Sequence, residues 1–309
     1  MRYFKFFFNW LFNIAPLDED FSNNRINVFR LVIFIVFHIS CIAIFWVGFS
    51  WFALFFAAIL YFTRMFFITA FYHRYFSHRS YKTSRIVQFL MAVLGCTAGQ
   101  RGPIWWSSHH REHHVSSDTI HDPHSPRFGF LNSHMLWFLK NSNFKILNHR
   151  VKDWLRYPEL VILEHIDWLP FILFGVFCYL FGELTLLNNL GIQTSGQQLF
   201  VWGFLLSTVM LYHGTYTINS LAHCFGKKRY ETNDNSRNNF VLALLTLGEG
   251  WHNNHHRYPS SARQGFFWWE IDLTYLLLKF MKFIFLIKDL KRVPPKLLVK
   301  KNNLNINVR

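Results

Sequence analysis

The amino-acid sequence predicts an all-α integral membrane protein, with four transmembrane helices in two hairpins and a helical cap on one side of the bilayer. Three observations carry that prediction. Hydrophobic residues make up 51% of the 309 and charged residues only 16%, a balance that removes most soluble classes. Between Arg30 and Arg64 there is no Asp, Glu, Lys or Arg, a run long enough to cross a bilayer, turn and cross back. The 32 Lys and Arg avoid the two connections between apolar runs and collect in the N-terminal segment, in the stretch 74–156 and after Lys227.

Taken in order, the opening MRYFKFFFNWLF is short and aromatic and is followed by Asp18, Glu19 and Asp20. No small-residue cleavage site precedes the first apolar run, so the segment reads as mature chain rather than a cleaved signal. The first two spans are expected at about 29–48 and 51–72, joined at Gly48-Phe49-Ser50-Trp51. Arg64 is expected at the lipid headgroups, with its helix projecting about 13 Å beyond it to His73 at 1.5 Å per residue. The second pair is expected at about 168–186 and 198–220. Residues 86–98 and 273–287 are too short or too interrupted to span and read as helices lying in the interface. The whole is one domain, 1–309, with its cap formed by 73–160 and 221–295 and a flexible tail at 296–309.

Charge distribution sets the orientation. By the positive-inside rule the N-terminus, the central loop and the C-terminus are cytoplasmic. The formal net charge of +15 follows from that topology and from attraction to anionic lipid; no motif accompanies it that would indicate nucleic acid. The four Cys, at 41, 96, 178 and 224, form no CxxC pair, which argues against a disulfide framework or a thiolate metal site.

The cap carries the chemistry. Nine histidines fall into four groups: His73 and His78 in HRYFSH, His110, His113 and His114 in HREHH, His223 in NSLAH, and His252, His255 and His256 in HNNHH. Any one alone reads as a solvated or structural residue. Two HxxHH triplets plus HxxxxH in one chain read as a metal centre with more than one ion, because neutral imidazole is the commonest nitrogen ligand of first-row divalent metals. On a helix each triplet shares one face and converges on one place. His73 and His78 diverge by roughly 140° on a regular α-helix, which suits two different ions or a helix that ends between them. Asn219 and His223, four apart, share a face. All nine histidines lie in one compartment.

These motifs, together with WWSSHHREHH, DTIHDPHSPRFGFLNSH, TINSLAH and GEGWHNNHHRYPSSARQGF, closely resemble the membrane-bound acyl-CoA desaturases, the stearoyl-CoA group, and within it the bacterial delta-9 type. The likeness runs from about Thr69 to Pro294. It implies four membrane helices under a cytosolic cap in a bacterial inner membrane, and two Fe ions held by those nine histidines with a water on Asn219. It further implies an acyl tunnel kinked at Gln100, Trp106 and Thr215 and closed by Tyr61, which suits a chain of about eighteen carbons. Tyr61 as an interfacial anchor and Trp106 as core are the plainer alternatives. One departure stands out: the Arg-Asp pair that meets CoA in the animal enzymes is here Ser108 and His109. A later basic pair is Asn141 and Ser142, beside Lys140. The headgroup is thereby left open between CoA, acyl carrier protein and a phospholipid. His109 is expected near the ligands or the headgroup; His121 and His124 read as structural, and Asp122 as a carboxylate orienting an imidazole.

The resemblance implies O2-dependent cis-delta-9 desaturation of a long-chain acyl group. No flavin, haem or ferredoxin motif is present, so electrons are expected from a separate donor of ferredoxin, rubredoxin or cytochrome b5 type with its reductase; Lys227, Lys228 and Arg229 read equally as a surface for an acidic donor and as a solvated cytoplasmic face. A membrane hydroxylase on similar histidine boxes is the nearest alternative. A metal carrier would place its ligands within the spans rather than in the cap. The ligands alone would also accept zinc.

Overall fold

The computed structural model describes residues 25–184, 187 and 189–298. The expectations for the N-terminal aromatic segment, for the third apolar run at residues 185 and 186 and for the tail beyond 298 lie outside the described residues.

Helix α1 (Val28–Val47) starts at Asn27, whose side-chain oxygen accepts from Arg30 N at 3.0 Å, and ends at Gly48, where φ is +72°. Ser50 then caps α2 (Trp51–Ser77) by accepting from Ala53 N. Both helices are long and apolar enough to cross a membrane, and α1 buries none of its residues within the protein. Helices α3 (Arg85–Cys96) and α4 (Pro103–Ser116) follow, then α5 (Pro158–His165) and α6 (Trp168–Gly182), which meet at a bend of 65°. A continuous helix, α7, covers 196–220. Three further helices follow, α8 (Phe240–Leu245), α9 (His252–Arg257) and α10 (Leu273–Phe283). Lys82–Thr83 and Ile287–Lys288 pair as a two-residue antiparallel ladder, Thr83 opposite Ile287.

Two expectations are corrected here. Arg64 does not reach the headgroups: it is 1% exposed, and its guanidinium donates to Thr208 Oγ1 at 2.6 Å and Ser207 Oγ at 2.5 Å on α7 and stacks over Phe174 of α6 at 4.4 Å. Hydroxyls and an aromatic face replace the water a snorkelling arginine would seek, so Arg64 ties three helices together. His73 and His78 do not diverge either. From Phe67 to Ser77 α2 is wound as a π-helix, and His78 N donates to His73 O at 3.3 Å. The i→i+5 bond brings residues five apart onto one face, where an α-helix would separate them.

Close approach fastens these helices. Arg111 of α4 donates to the terminal carbonyls of α2, Phe76 O at 2.7 Å and Ser77 O at 2.8 Å, and holds Asp153 with both Nη atoms. Glu164 of α5 accepts from Ile104 N and Trp105 N, the free amides at the start of α4. Helix α1 is attached through His38, whose Nε2 lies 3.2 Å from His213 Nε2 on α7; His213 Nδ1 lies 3.0 Å from His134 Nε2.

Helix α3 packs on the π-wound segment at Gly95, where an added Cβ would collide with the Tyr72 ring. Gly95→Ala is therefore expected to cost about 1–3 kcal/mol by overpacking, read as a lower melting temperature in detergent. Leu90→Ala, on the exposed face of the same helix, should melt like the parent; equal effects would mean that α3 itself, not this contact, is the sensitive element.

Candidate metal centre and adjoining cavity

The nine histidines come together in two groups. His73, His78, His110, His114 and His255 form one; His113, His223, His252 and His256 form the other. The triplets thus do not each converge on one place. On α4, His110 and His114 are one turn apart and share the first group, while His113, about 100° from its neighbour His114, turns to the second. On α9 the division is mirrored: His252 and His256 take the second group and His255 the first. The groups abut, His114 and His256 having ring centroids 4.5 Å apart.

The donor atoms fit a metal. In the first group the Nε2 atoms make a chain of contacts: His73 to His255 at 3.0 Å, His255 to His114 at 2.9 Å, His114 to His110 at 3.0 Å and His110 to His78 at 2.8 Å. His73 Nδ1 lies 2.5 Å from Glu249 Oε2 and so carries that ring's hydrogen, leaving a lone pair on Nε2. With one hydrogen per neutral ring, at most two of the four contacts can be hydrogen bonds. Ligands at right angles around an ion about 2.1 Å away would stand about 3.0 Å apart, the spacing seen. In the second group His113 Nδ1 meets Asp122 Oδ2 at 3.0 Å, His223 Nδ1 meets Asp118 Oδ1 at 3.1 Å and His256 Nδ1 meets Asp234 Oδ2 at 2.7 Å. Each carboxylate fixes a tautomer and turns Nε2 inward; His113 Nε2 and His256 Nε2 are buried without a hydrogen-bond partner.

Burial, and then repulsion between neighbouring imidazoles, holds His78, His110, His114, His252 and His255 well below the usual imidazole range, and burial takes His256 down to about 4. These rings are neutral near pH 7, the form that binds metal. His113 runs the other way: burial lowers it, but the Asp122 and Asp118 charges prevail and raise it.

Asp122 stands against an imidazole, as the sequence suggested, but Glu249, Asp118 and Asp234 were missed. Glu249, three residues before His252 in GEGWH, and Asp118, four after His114, carried a spacing signal; Asp234, 22 residues from His256, carried none. His124 packs on His113 at 4.2 Å between centroids, and burial lowers it to about 3.

Beside the first group lies an apolar cavity of about 470 Å³, lined among others by His110, Asn219, Gln100, Trp106 and Thr215. The last three are joined: Gln100 Nε2 donates to Thr215 Oγ1 at 3.0 Å, and Trp106 Nε1 lies 3.4 Å from Gln100 Oε1. Trp106 also stacks on His110. Three expected contacts fall elsewhere. Tyr61 does not line the cavity; its hydroxyl donates to Leu245 O at 2.8 Å and its ring packs on Gly214, because the π-winding between it and His73 changes the face it presents. Ser108 is fully buried, donating to Trp105 O, and is closed to any headgroup. Lys140 is outside the lining and donates to Asn132 Oδ1 at 2.6 Å. His109 does line the cavity, with Nε2 on Lys145 O at 3.1 Å.

Carboxylate-steered imidazoles in two abutting groups beside an apolar cavity define a metal-binding protein shaped for an apolar ligand. The fatty acid desaturase family model matches residues 49–279, and the chain belongs to that family. It is 36% identical over 223 residues to Delta-9 acyl-lipid desaturase 1 of Arabidopsis thaliana, covering 69% of this chain and 66% of that protein. It is 35% identical over 212 residues to Acyl-CoA 5-desaturase AL21 of Anemone leveillei, covering 69% and 63%. To the sn-1 stearoyl-lipid 9-desaturase of Synechocystis sp. it is 37% identical over 221 residues, covering 70% and 64%. The chain therefore spans just under two thirds of the length of these three relatives. Membership implies iron as the metal and O2 as its partner.

Asp118→Asn and Asp122→Asn should each weaken metal affinity about 10–100-fold, measured as metal per protein after dialysis against a chelator; full loading in both would end their orienting role. The metal-free protein should also lose stability in acid. Histidines depressed in the fold bind fewer protons than in the unfolded chain, so stability falls as pH drops from about 6.5 toward about 4. A melting temperature flat across that window would contradict the burial of neutral rings.

Proposed function

We propose that this protein is an O2-dependent desaturase that introduces a cis double bond at C9 of a long-chain saturated acyl group, with one iron in each histidine group. The observation that carries the reading is the junction of the first histidine group with the cavity: His110, Asn219 and the Gln100–Trp106–Thr215 cluster share one wall. Bound iron and O2 would supply the oxidant for an unactivated methylene, chemistry that no side chain provides. The residues supply position. The Gln100–Thr215 hydrogen bond and the Trp106 ring would bend the chain beside His110, and the apolar walls exclude water. Asn219 would hold a water at the second iron. Overall, two C–H hydrogens, O2, two electrons and two protons give the alkene and two waters.

The electrons come from a separate ferredoxin-, rubredoxin- or cytochrome b5-type protein. In the membrane the chain crosses four times, with both ends and the cap in the cytoplasm. The family membership and the two long apolar helices support this arrangement.

Expression in a host lacking its own desaturase, followed by mass spectrometric mapping of double bonds, tests the reading. A new C9 alkene in sixteen- to eighteen-carbon chains is expected, lost in His113→Ala and His255→Ala while both variants remain membrane-inserted. An alcohol in place of the alkene would make the protein a hydroxylase, and activity in either variant would remove that ligand.

A further inference from the structure

The cavity also has a mouth. Besides the Gln100–Thr215 pair, its lining includes Ile33, Phe34 and Phe37 of α1 and Phe171 and Ile172 of α6. Ile33 and Ile172 are 37% and 49% exposed on the outward faces of the apolar helices, so the lip opens sideways, where bilayer lipid would lie. An acyl chain still attached to a membrane lipid can enter there without leaving the bilayer.

Arg101 stands at this mouth in a conformation that an arginine adopts only at a cost. Its φ is +69°, a region that glycine occupies freely, followed directly by Gly102 and Pro103. Its guanidinium lies 4.1 Å from the Phe144 ring centroid and 5.3 Å from that of Trp105. Nε donates to Asp167 Oδ2 at 3.2 Å, while Nη1 is buried without a hydrogen-bond partner. Arg30, which also lines the cavity, lies over the same Phe144 ring at 3.6 Å. Asp167 is the one carboxylate among the lining residues, and Glu164, outside the lining, lies near enough to feel the Arg101 charge.

We infer that this mouth binds the phosphate of a membrane glycerophospholipid whose acyl chain fills the cavity, and that Arg101 selects the anionic headgroup. A planar fork with an unused donor is the chemistry that recognises a phosphate oxygen, and the aromatic walls hold that fork rigid. The fate of the chain rests on the desaturase reading; the binding of the headgroup does not.

The test compares three carriers of the same stearoyl chain: phosphatidylglycerol in vesicles, neutral monogalactosyldiacylglycerol, and stearoyl-CoA. For the wild type, phosphatidylglycerol should be the preferred substrate and should be retained by the purified protein in native mass spectrometry. Arg101→Gly removes the fork and suits the backbone. It should lower the kcat/KM ratio of phosphatidylglycerol to galactolipid by tenfold or more, mainly through KM, and abolish lipid retention. Since the variant leaves Asp167 without its partner, Arg101→Gly/Asp167→Asn removes both charges; it should fold like the parent and still lack the preference. Asp167→Asn alone frees the guanidinium and should keep or raise it. Restoration of the preference in the double variant would reduce Arg101 to a counter-ion of Asp167, and turnover of stearoyl-CoA alone would overturn the site while leaving the desaturase intact. Arg101-dependent lipid retention with no alkene from any carrier would do the reverse.

Discussion

Everything around the histidine groups follows from one constraint: nine imidazoles, mostly buried, must point ring nitrogens at each other without a hydrogen on each to share. Water cannot satisfy them there, and one hydrogen per neutral ring leaves some of the facing nitrogens without a partner, a deficit that bound cations would meet. Four carboxylates make it so. Glu249, Asp118, Asp122 and Asp234 each take the Nδ1 hydrogen of one ring, and those rings then present lone pairs inward. Arg74 extends the support, since its buried guanidinium bridges Glu249 and Asp272. A carboxylate already neutralised from behind can orient His73 with little desolvation cost of its own.

Helix winding decides which ring goes where. An α-helix offers a residue and its i+4 neighbour to one site and i+3 to another, so each HxxHH segment serves both groups at once. The π-wound end of α2 does what an α-helix cannot, bringing His73 and His78 to one group from a spacing of five. Arg111 then anchors α4 to the end of that segment, so the two ligand-bearing helices are fixed by hydrogen bonds to carbonyls at a helix terminus rather than by side-chain packing alone.

This pattern also explains what could be read from the sequence. Helical content, the first two apolar helices and the nine histidines were legible because they depend on local composition and on spacing within one segment. The partition of the triplets was not. It needs the relative rotation of α4, α9 and the end of α2, which the sequence expresses only through an unusual backbone winding. Asp234 was invisible because nothing near it in the chain marks it; it acquires meaning from the loop that carries it to His256. Arg64 and Tyr61 were misplaced for a related reason. Arg64 was placed by the end of an apolar run and Tyr61 by the resemblance, whereas a hydroxyl pair on α7 and the carbonyl of Leu245 fix their positions.

The wall of the cavity obeys a different rule from the histidine groups. Helix α1 supplies Ile33, Phe34 and Phe37 to the cavity yet buries no residue fully, so packing holds it only weakly. The chain of histidines adds to the Asn27–Leu139 and Gln198–Val47 hydrogen bonds at the helix's two ends and to the Phe37–Phe204 ring contact. His38 Nδ1 lies 2.7 Å from Phe34 O and must donate to it, which leaves Nε2 as an acceptor from His213. His213 Nδ1 lies 3.0 Å from His134 Nε2, and His134 Nδ1 lies 2.9 Å from Ser220 Oγ, whose hydroxyl donates to Tyr216 O at 3.0 Å. The contacts form one continuous chain from the end of α7 to α1. Such a strap costs little to form in an apolar medium because the competing partner, water, is scarce. It fixes one side of the mouth by a few directional bonds while the remaining face of α1 is left to lipid, which is what a lateral entrance for an acyl chain requires.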